Sequence, residues 1–136
     1  MPKVLIADDV GEECARILAR AGIEVDFKGK MKPDELKAAI PSYDGLIVRS
    51  AVKVTKEILE AGAKLKIVGR AGIGVDNIDQ EAATRRGVIV MNTPLGNVAS
   101  AAEHTFALIL ANARNIAAAD ASTRAGKWER SKYQGV

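Results

Sequence analysis

The sequence holds one cysteine, Cys14, and one histidine, His104, among 136 residues. A single thiol cannot build an internal disulfide framework, and one Cys with one His falls short of a usual zinc ligand set. No metal site is expected, and a reducing cytoplasm is the expected setting. Aromatic residues make up only 4% of the chain, too few to interleave with Arg and Lys over an extended surface as a single-strand nucleic-acid binder requires. No apolar run approaches the roughly 18 residues of a membrane-spanning helix. The longest surrounds Phe106-Ala107-Leu108-Ile109-Leu110-Ala111. Met1-Pro2-Lys3 leads directly into a strand-like run without a leader pattern. Neither membrane nor export is expected.

Charge of one sign is also scarce. The chain carries 20 basic and 17 acidic side chains, a net charge of +3. That excess lies wholly in the segment holding Arg124, Lys127, Glu129, Arg130 and Lys132, and the body before it is balanced. A basic tail on a neutral body is not the stripe that tracks a phosphate backbone, so no nucleic-acid partner is expected.

What is present is 48% apolar and 27% charged residues, the composition of one α/β domain. Strand-length apolar runs alternate with helix-like segments, which argues for βα units around a parallel sheet. Strands are expected at Lys3–Ala7, Val25–Lys28, Gly45–Arg49, Lys66–Arg70 and Val88–Asn92. Three of these are continuous Val, Ile and Leu runs, the pattern of strands buried on both faces. Helices are expected at Gly11–Ala21, Pro33–Ile40, Lys56–Ala61 and Gln80–Arg86. Asp9 with Glu12 reads as a capping box, Pro33 suits a first helical turn, and Gly22 and Gly87 stand where helices stop. Cys14, Ile17 and Leu18 share a stripe, which makes Cys14 a small core residue. A capping box at Ser100 and Glu103 opens a long helix, Ala101–Arg124, apolar nearly all round in its first half, as in a buried helix. A five-stranded layer does not need such a helix, so it calls for a second subunit or a further domain.

Two stretches could carry chemistry. Asp8 and Asp9 end the first strand, where paired carboxylates hold a divalent metal in response-regulator receiver domains. A receiver also needs an aspartate after the third strand and a lysine after the fifth. This chain has Arg49-Ser50 and Met91-Asn92-Thr93 there. Helix caps or loop polar groups are therefore the simpler reading of the acidic pair.

The second stretch, Gly69-Arg70-Ala71-Gly72-Ile73-Gly74, follows the fourth strand. Glycines let successive N–H groups converge on a carboxylate or phosphate. A dinucleotide turn would need a third glycine at position 77 and an acidic residue ending the next strand, and both are missing. Arg49 and Arg70 end parallel strands, the edge at which open α/β sheets bind ligands, and their planar donor forks suit anions. From the residues alone, an anion site and a plain glycine turn with two solvated arginines both stand.

The stretch from Gly69 to Asp79, Glu81-Ala82-Ala83, Gly87-Val88-Ile89-Val90-Met91-Asn92-Thr93-Pro94 and Gly126-Lys127-Trp128-Glu129-Arg130 together resemble the D-isomer-specific 2-hydroxyacid dehydrogenases. Val48-Arg49-Ser50-Ala51-Val52-Lys53-Val54-Thr55 is similar to the branch that oxidises 3-phosphoglycerate with NAD in serine synthesis. The resemblance covers essentially the whole chain. It implies that residues 1–97 form a flavodoxin-like substrate-binding domain, and that residues 98–136 form the crossing helix and basic segment leading to a Rossmann NAD-binding domain beyond this chain.

On that resemblance the chain is a fragment, and the dinucleotide turn and the groups that move hydride and proton lie downstream. No catalytic residue is then expected here, and NAD belongs to the intact protein. The implied substrate contacts are Arg49 and Ser50, Arg70, the backbone of Ala71, Gly72, Ile73 and Gly74, Asn97, and Arg130 reaching a neighbouring subunit. Ile73 stands where some relatives place a threonine beside the cofactor. His104 is implied to be a packing or interface residue, and a homodimer through residues 101–124 is expected. The alternative is a complete anion-binding or interaction module with a flexible basic tail.

Overall fold

A computed structural model of the chain describes residues 1–135. The strands are β1 (Lys3–Ile6), β2 (Glu24–Phe27), β3 (Gly45–Val48), β4 (Ile67–Arg70) and β5 (Ile89–Asn92). The helices are α1 (Glu12–Arg20), α2 (Pro33–Ala39), α3 (Lys56–Ala61), α4 (Gln80–Arg85), α5 (Val98–Ala113) and α6 (Ile116–Arg124). The five strands form one sheet in the order β2-β1-β3-β4-β5. Every neighbouring pair is parallel. This is the doubly wound order, in which carboxyl ends of strands gather on one edge and build the ligand site.

One face of the sheet carries the core. Leu5, Ala7, Leu46, Val48 and Val68 pack with Leu36 of α2, Ile58 and Leu59 of α3, and Ala82 and Ala83 of α4. The period of two along each strand sends these side chains to one side. Asp79 caps α4 by accepting the Ala82 N–H at 2.9 Å. Gly22 and Gly87 end α1 and α4 with φ of 76° and 66°, which only glycine adopts without strain.

Several details depart from expectation. The opposite face is covered only in part, so Ile89 and Met91 of β5 are 60% and 55% exposed, and β5 is not buried on both sides. Cys14 is half-exposed rather than in the core, and α1 buries none of its side chains. Cys14 and Leu18 instead line a groove of about 390 Å³ with Ile47, Ile67 and Met91. Burial nevertheless pushes the Cys14 thiol above its ordinary pKa, away from the reactive thiolate form. Asp9 does not cap α1, which starts after Gly11 with no side-chain cap.

The chain divides into two compact units, Met1–Gly96 and Asn97–Val136. In the second, the expected continuous helix is two helices. Asn115 sits between α5 and α6 with φ of 51°, in the left-handed region, and so ends the first helix. The helix also begins three residues early, at Val98, which leaves Ser100 inside the first turn rather than at a cap. Alanine lacks asparagine's tolerance of this conformation, so Asn115→Ala should cost about 1 kcal/mol in a urea melt while Asn115→Gly should not. None of the α5 side chains is buried, and Phe106, Leu108, Ile109 and Leu110 are all exposed. A helix apolar all round needs a partner. On α6, Ser122 is buried and donates to Glu129 Oε2 at 2.8 Å. Among the described residues no helix is long and apolar enough to cross a membrane.

Candidate anion site

The loops after β3 and β4 lie side by side on the carboxyl edge, because Val48 pairs with Arg70 in the parallel register. Asp8, next to the end of β1, organises the first loop from beneath. It is 2% exposed, yet its carboxylate is fully answered. Oδ2 accepts the N–H groups of Arg49 at 2.9 Å, Ala51 at 3.1 Å and Val52 at 3.0 Å. Oδ1 accepts that of Asp9 at 2.8 Å. Burial by itself would raise the carboxyl pKa, but these four donors hold it below the ordinary 3.8. Asp8 is thus an internal anion for a protein loop, not half of a receiver's metal site. Its role as a loop polar group was legible; its three long-range partners were not.

The wound loop leaves Arg49 and Ser50 exposed. No carboxylate pairs with Arg49 among the described residues, so its guanidinium is available to a ligand. Arg70 behaves differently. Its side chain is only 11% exposed and lies 3.5 Å from Asp76 Oδ1, and its Nη1 donates to the Gly74 carbonyl. Its Nε is buried without a partner. The guanidinium lies against its own loop, close to the glycine at 74. A Cβ there would stand 2.9 Å from Arg70 Nη1 and 3.0 Å from Asp76 Oδ1.

Within that loop, Ala71 donates to the Val48 carbonyl at 2.9 Å and Gly72 to that of Arg70 at 2.9 Å. The N–H groups of Ile73 and Gly74 have no acceptor among the described residues. Asn92, at the end of β5, supports the loop by donating to the Ile73 carbonyl at 2.6 Å. Asn77 supports it from the other end, donating to the carbonyls of Arg49 and Val52, each at 2.7 Å. Composition and periodicity did not single out Asn77 or Asn92; an amide just past a glycine loop and another ending a strand were the only signals.

Two expected contacts lie in the second unit. Asn97 precedes α5, and Arg130 opens a 3-10 turn, Arg130–Tyr133, beside a cleft of about 240 Å³ lined by Ser122, Trp128 and Glu129. His104 is exposed on α5.

The sequence profile of the D-isomer specific 2-hydroxyacid dehydrogenase catalytic domain matches residues 4–132. The chain belongs to this family. It is 49% identical over 134 residues to D-3-phosphoglycerate dehydrogenase of Archaeoglobus fulgidus, covering 98% of this chain and 25% of that protein. It is 52% identical over 134 residues to the D-3-phosphoglycerate dehydrogenase of Homo sapiens, with the same coverage. Among solved structures, NAD+-bound 3-phosphoglycerate dehydrogenase of Entamoeba histolytica superposes with a TM-score of 0.73 at 37% identity, over 83% of this chain and 39% of that one. The chain therefore spans about a quarter of the length of the curated relatives it matches.

The glycine loop after β4 differs from a dinucleotide turn in three respects. The Arg70 guanidinium lies against the glycine loop, and Asn77 stands where a third glycine would let a pyrophosphate approach. No helix starts until Gln80.

Proposed function

We propose that this chain is the substrate-binding part of an NAD-dependent D-3-phosphoglycerate dehydrogenase, an enzyme of serine biosynthesis, and that it recognises the anionic substrate without turning it over alone. The observation that carries the proposal is the Arg49 guanidinium, without a carboxylate partner among the described residues, one strand away from the N–H groups of Ile73 and Gly74, which have no acceptor among those residues. A guanidinium and a pair of backbone donors take the two anionic ends of a small molecule, one phosphate and one carboxylate. Ser50 adds a hydroxyl, and Arg70 lends positive charge from behind the loop. In the intact protein Asn97 faces the substrate, Arg130 reaches the site of a neighbouring subunit, and Ile73 faces the cofactor side. NAD is then held by other parts of that protein, and the setting is cytoplasmic.

Exposed ion pairs are worth only about 0–1 kcal/mol each, so affinity of the isolated chain should be in the ~millimolar range. An amide-resolved NMR titration with 3-phosphoglycerate, with glycerate and inorganic phosphate as controls, tests this. Saturable shifts at Arg49, Ser50 and Ala71–Gly74, strongest for 3-phosphoglycerate, are expected. Amides that stay still into tens of millimolar would overturn the reading.

The exposed apolar side chains of α5 supply a second expectation, a homodimer through this helix. Sedimentation velocity at rising concentration should show a dimer that Leu108→Glu abolishes. A monomer at every concentration would favour the self-contained binding module instead.

A further inference from the structure

We propose that Asn77 is a positioning residue that sets the separation between the two anion-recognising loops, an inference that rests on the substrate reading above. Arg49 and Val52 are each tied at both of their peptide groups. Their N–H groups go to Asp8 Oδ2 at 2.9 Å and 3.0 Å, and their carbonyls accept from Asn77 Nδ2 at 2.7 Å each. The loop carrying Arg49 is therefore held between a buried anion beneath it and a double donor beside it.

That double donor belongs to the other loop. Asn77 closes the stretch that starts at Arg70, and its own carbonyl accepts the Val54 N–H at 2.8 Å, which makes the link continuous. Both protons of the side-chain amide are used, while Oδ1 is buried without a partner. A buried acceptor left unanswered is unfavourable, so the amide is in place for its donors. The reverse orientation would press Oδ1 against two carbonyl oxygens. Asparagine is the smallest side chain that offers two N–H bonds in one plane.

The consequence is specific to ligands that touch both loops. A molecule with two anionic ends needs Arg49 and the Ile73 and Gly74 donors at one fixed distance, and an ordered pair of loops avoids the ordering cost on binding. A single anion bound by one loop does not sense that distance.

Asn77→Asp keeps the shape and removes the donors; Asn77→Ala removes both. For each variant, affinity for 3-phosphoglycerate and for inorganic phosphate is measured by amide shifts. Hydrogen exchange at Ala51 and Val52 is followed without ligand, with Leu46 and Val68 as core references. The expected result is about tenfold weaker 3-phosphoglycerate binding in both variants, phosphate binding within twofold of wild type, and at least tenfold faster exchange confined to the loop. Equal losses for both ligands, or no loss for either, would overturn the proposal. A wild-type chain that binds no 3-phosphoglycerate would remove the substrate reading by itself. The exchange arm still decides the link between loops, and unchanged exchange in both variants would overturn it.

Discussion

Replacing Asp8 by alanine should remove about 3–5 kcal/mol of stability. Four backbone N–H groups lose their acceptor at once, and each buried donor left unanswered costs roughly 1–3 kcal/mol before water reaches some of them. Against the roughly 5–15 kcal/mol that hold a typical domain folded, that is a large fraction. A urea melt should show the midpoint falling steeply. The same carboxylate sets a pH dependence. Its folded pKa is depressed, so its contribution is complete above the unfolded value of 3.8 and is lost as the pH falls through the lower folded value. Asp26 titrates in the same direction, held down first by the Tyr43 hydroxyl at 2.6 Å and then by Lys3. The acid limb of stability should therefore be shallower, but still present, in Asp8→Ala. An unchanged acid limb, or a midpoint equal to wild type, would show that the loop does not depend on Asp8.

Leu59→Ala should cost about 2–5 kcal/mol by a different mechanism. Leu59 is 0% exposed and lies on α3, which packs against both α2 and α4. Truncation loses the transfer free energy of the removed carbons and leaves a cavity that helices on either side cannot fully close. Phe106→Ala offers the contrast. Phe106 is 66% exposed, so in the monomer its truncation should stay within about 0.5 kcal/mol. Denaturation at two protein concentrations separates the cases. The Leu59 effect should not vary with concentration, whereas any Phe106 effect should appear only where the chain self-associates.

The parallel layer was legible because its signals are local. Val4-Leu5-Ile6, Leu46-Ile47-Val48 and Val88-Ile89-Val90 are strand-length runs separated by helix-like segments. The observed boundaries of strands and of the first four helices fall within two residues of the expected ones. Gly22 and Gly87 marked helix ends because positive φ is a property of the residue itself. The family was legible for a similar reason, since its motifs run in order through the chain.

The misses share a cause as well. Asp9 with Glu12, and Ser100 with Glu103, have the spacing of capping boxes, but spacing does not exclude a helix that starts elsewhere. Arg114-Asn115 interrupted a segment whose alanines and leucines favour continuous helix, because one asparagine in the left-handed region outweighs several good helix formers. Cys14 and Ile17 shared a stripe, yet what covers a stripe is a property of its neighbours.

The sequence by itself determined the alternation of strands and helices and the pair of arginines ending β3 and β4, because each depends on residue type and short spacing. Tertiary structure alone decided that these arginines differ. Arg70 is drawn into its own loop beside Gly74 and Asp76, whereas Arg49 is left open by a loop wound on Asp8 and tied to Asn77. Those partners lie 41 and 28 residues from Arg49 in the chain. Only the parallel register of β1, β3 and β4 brings them within hydrogen-bond distance.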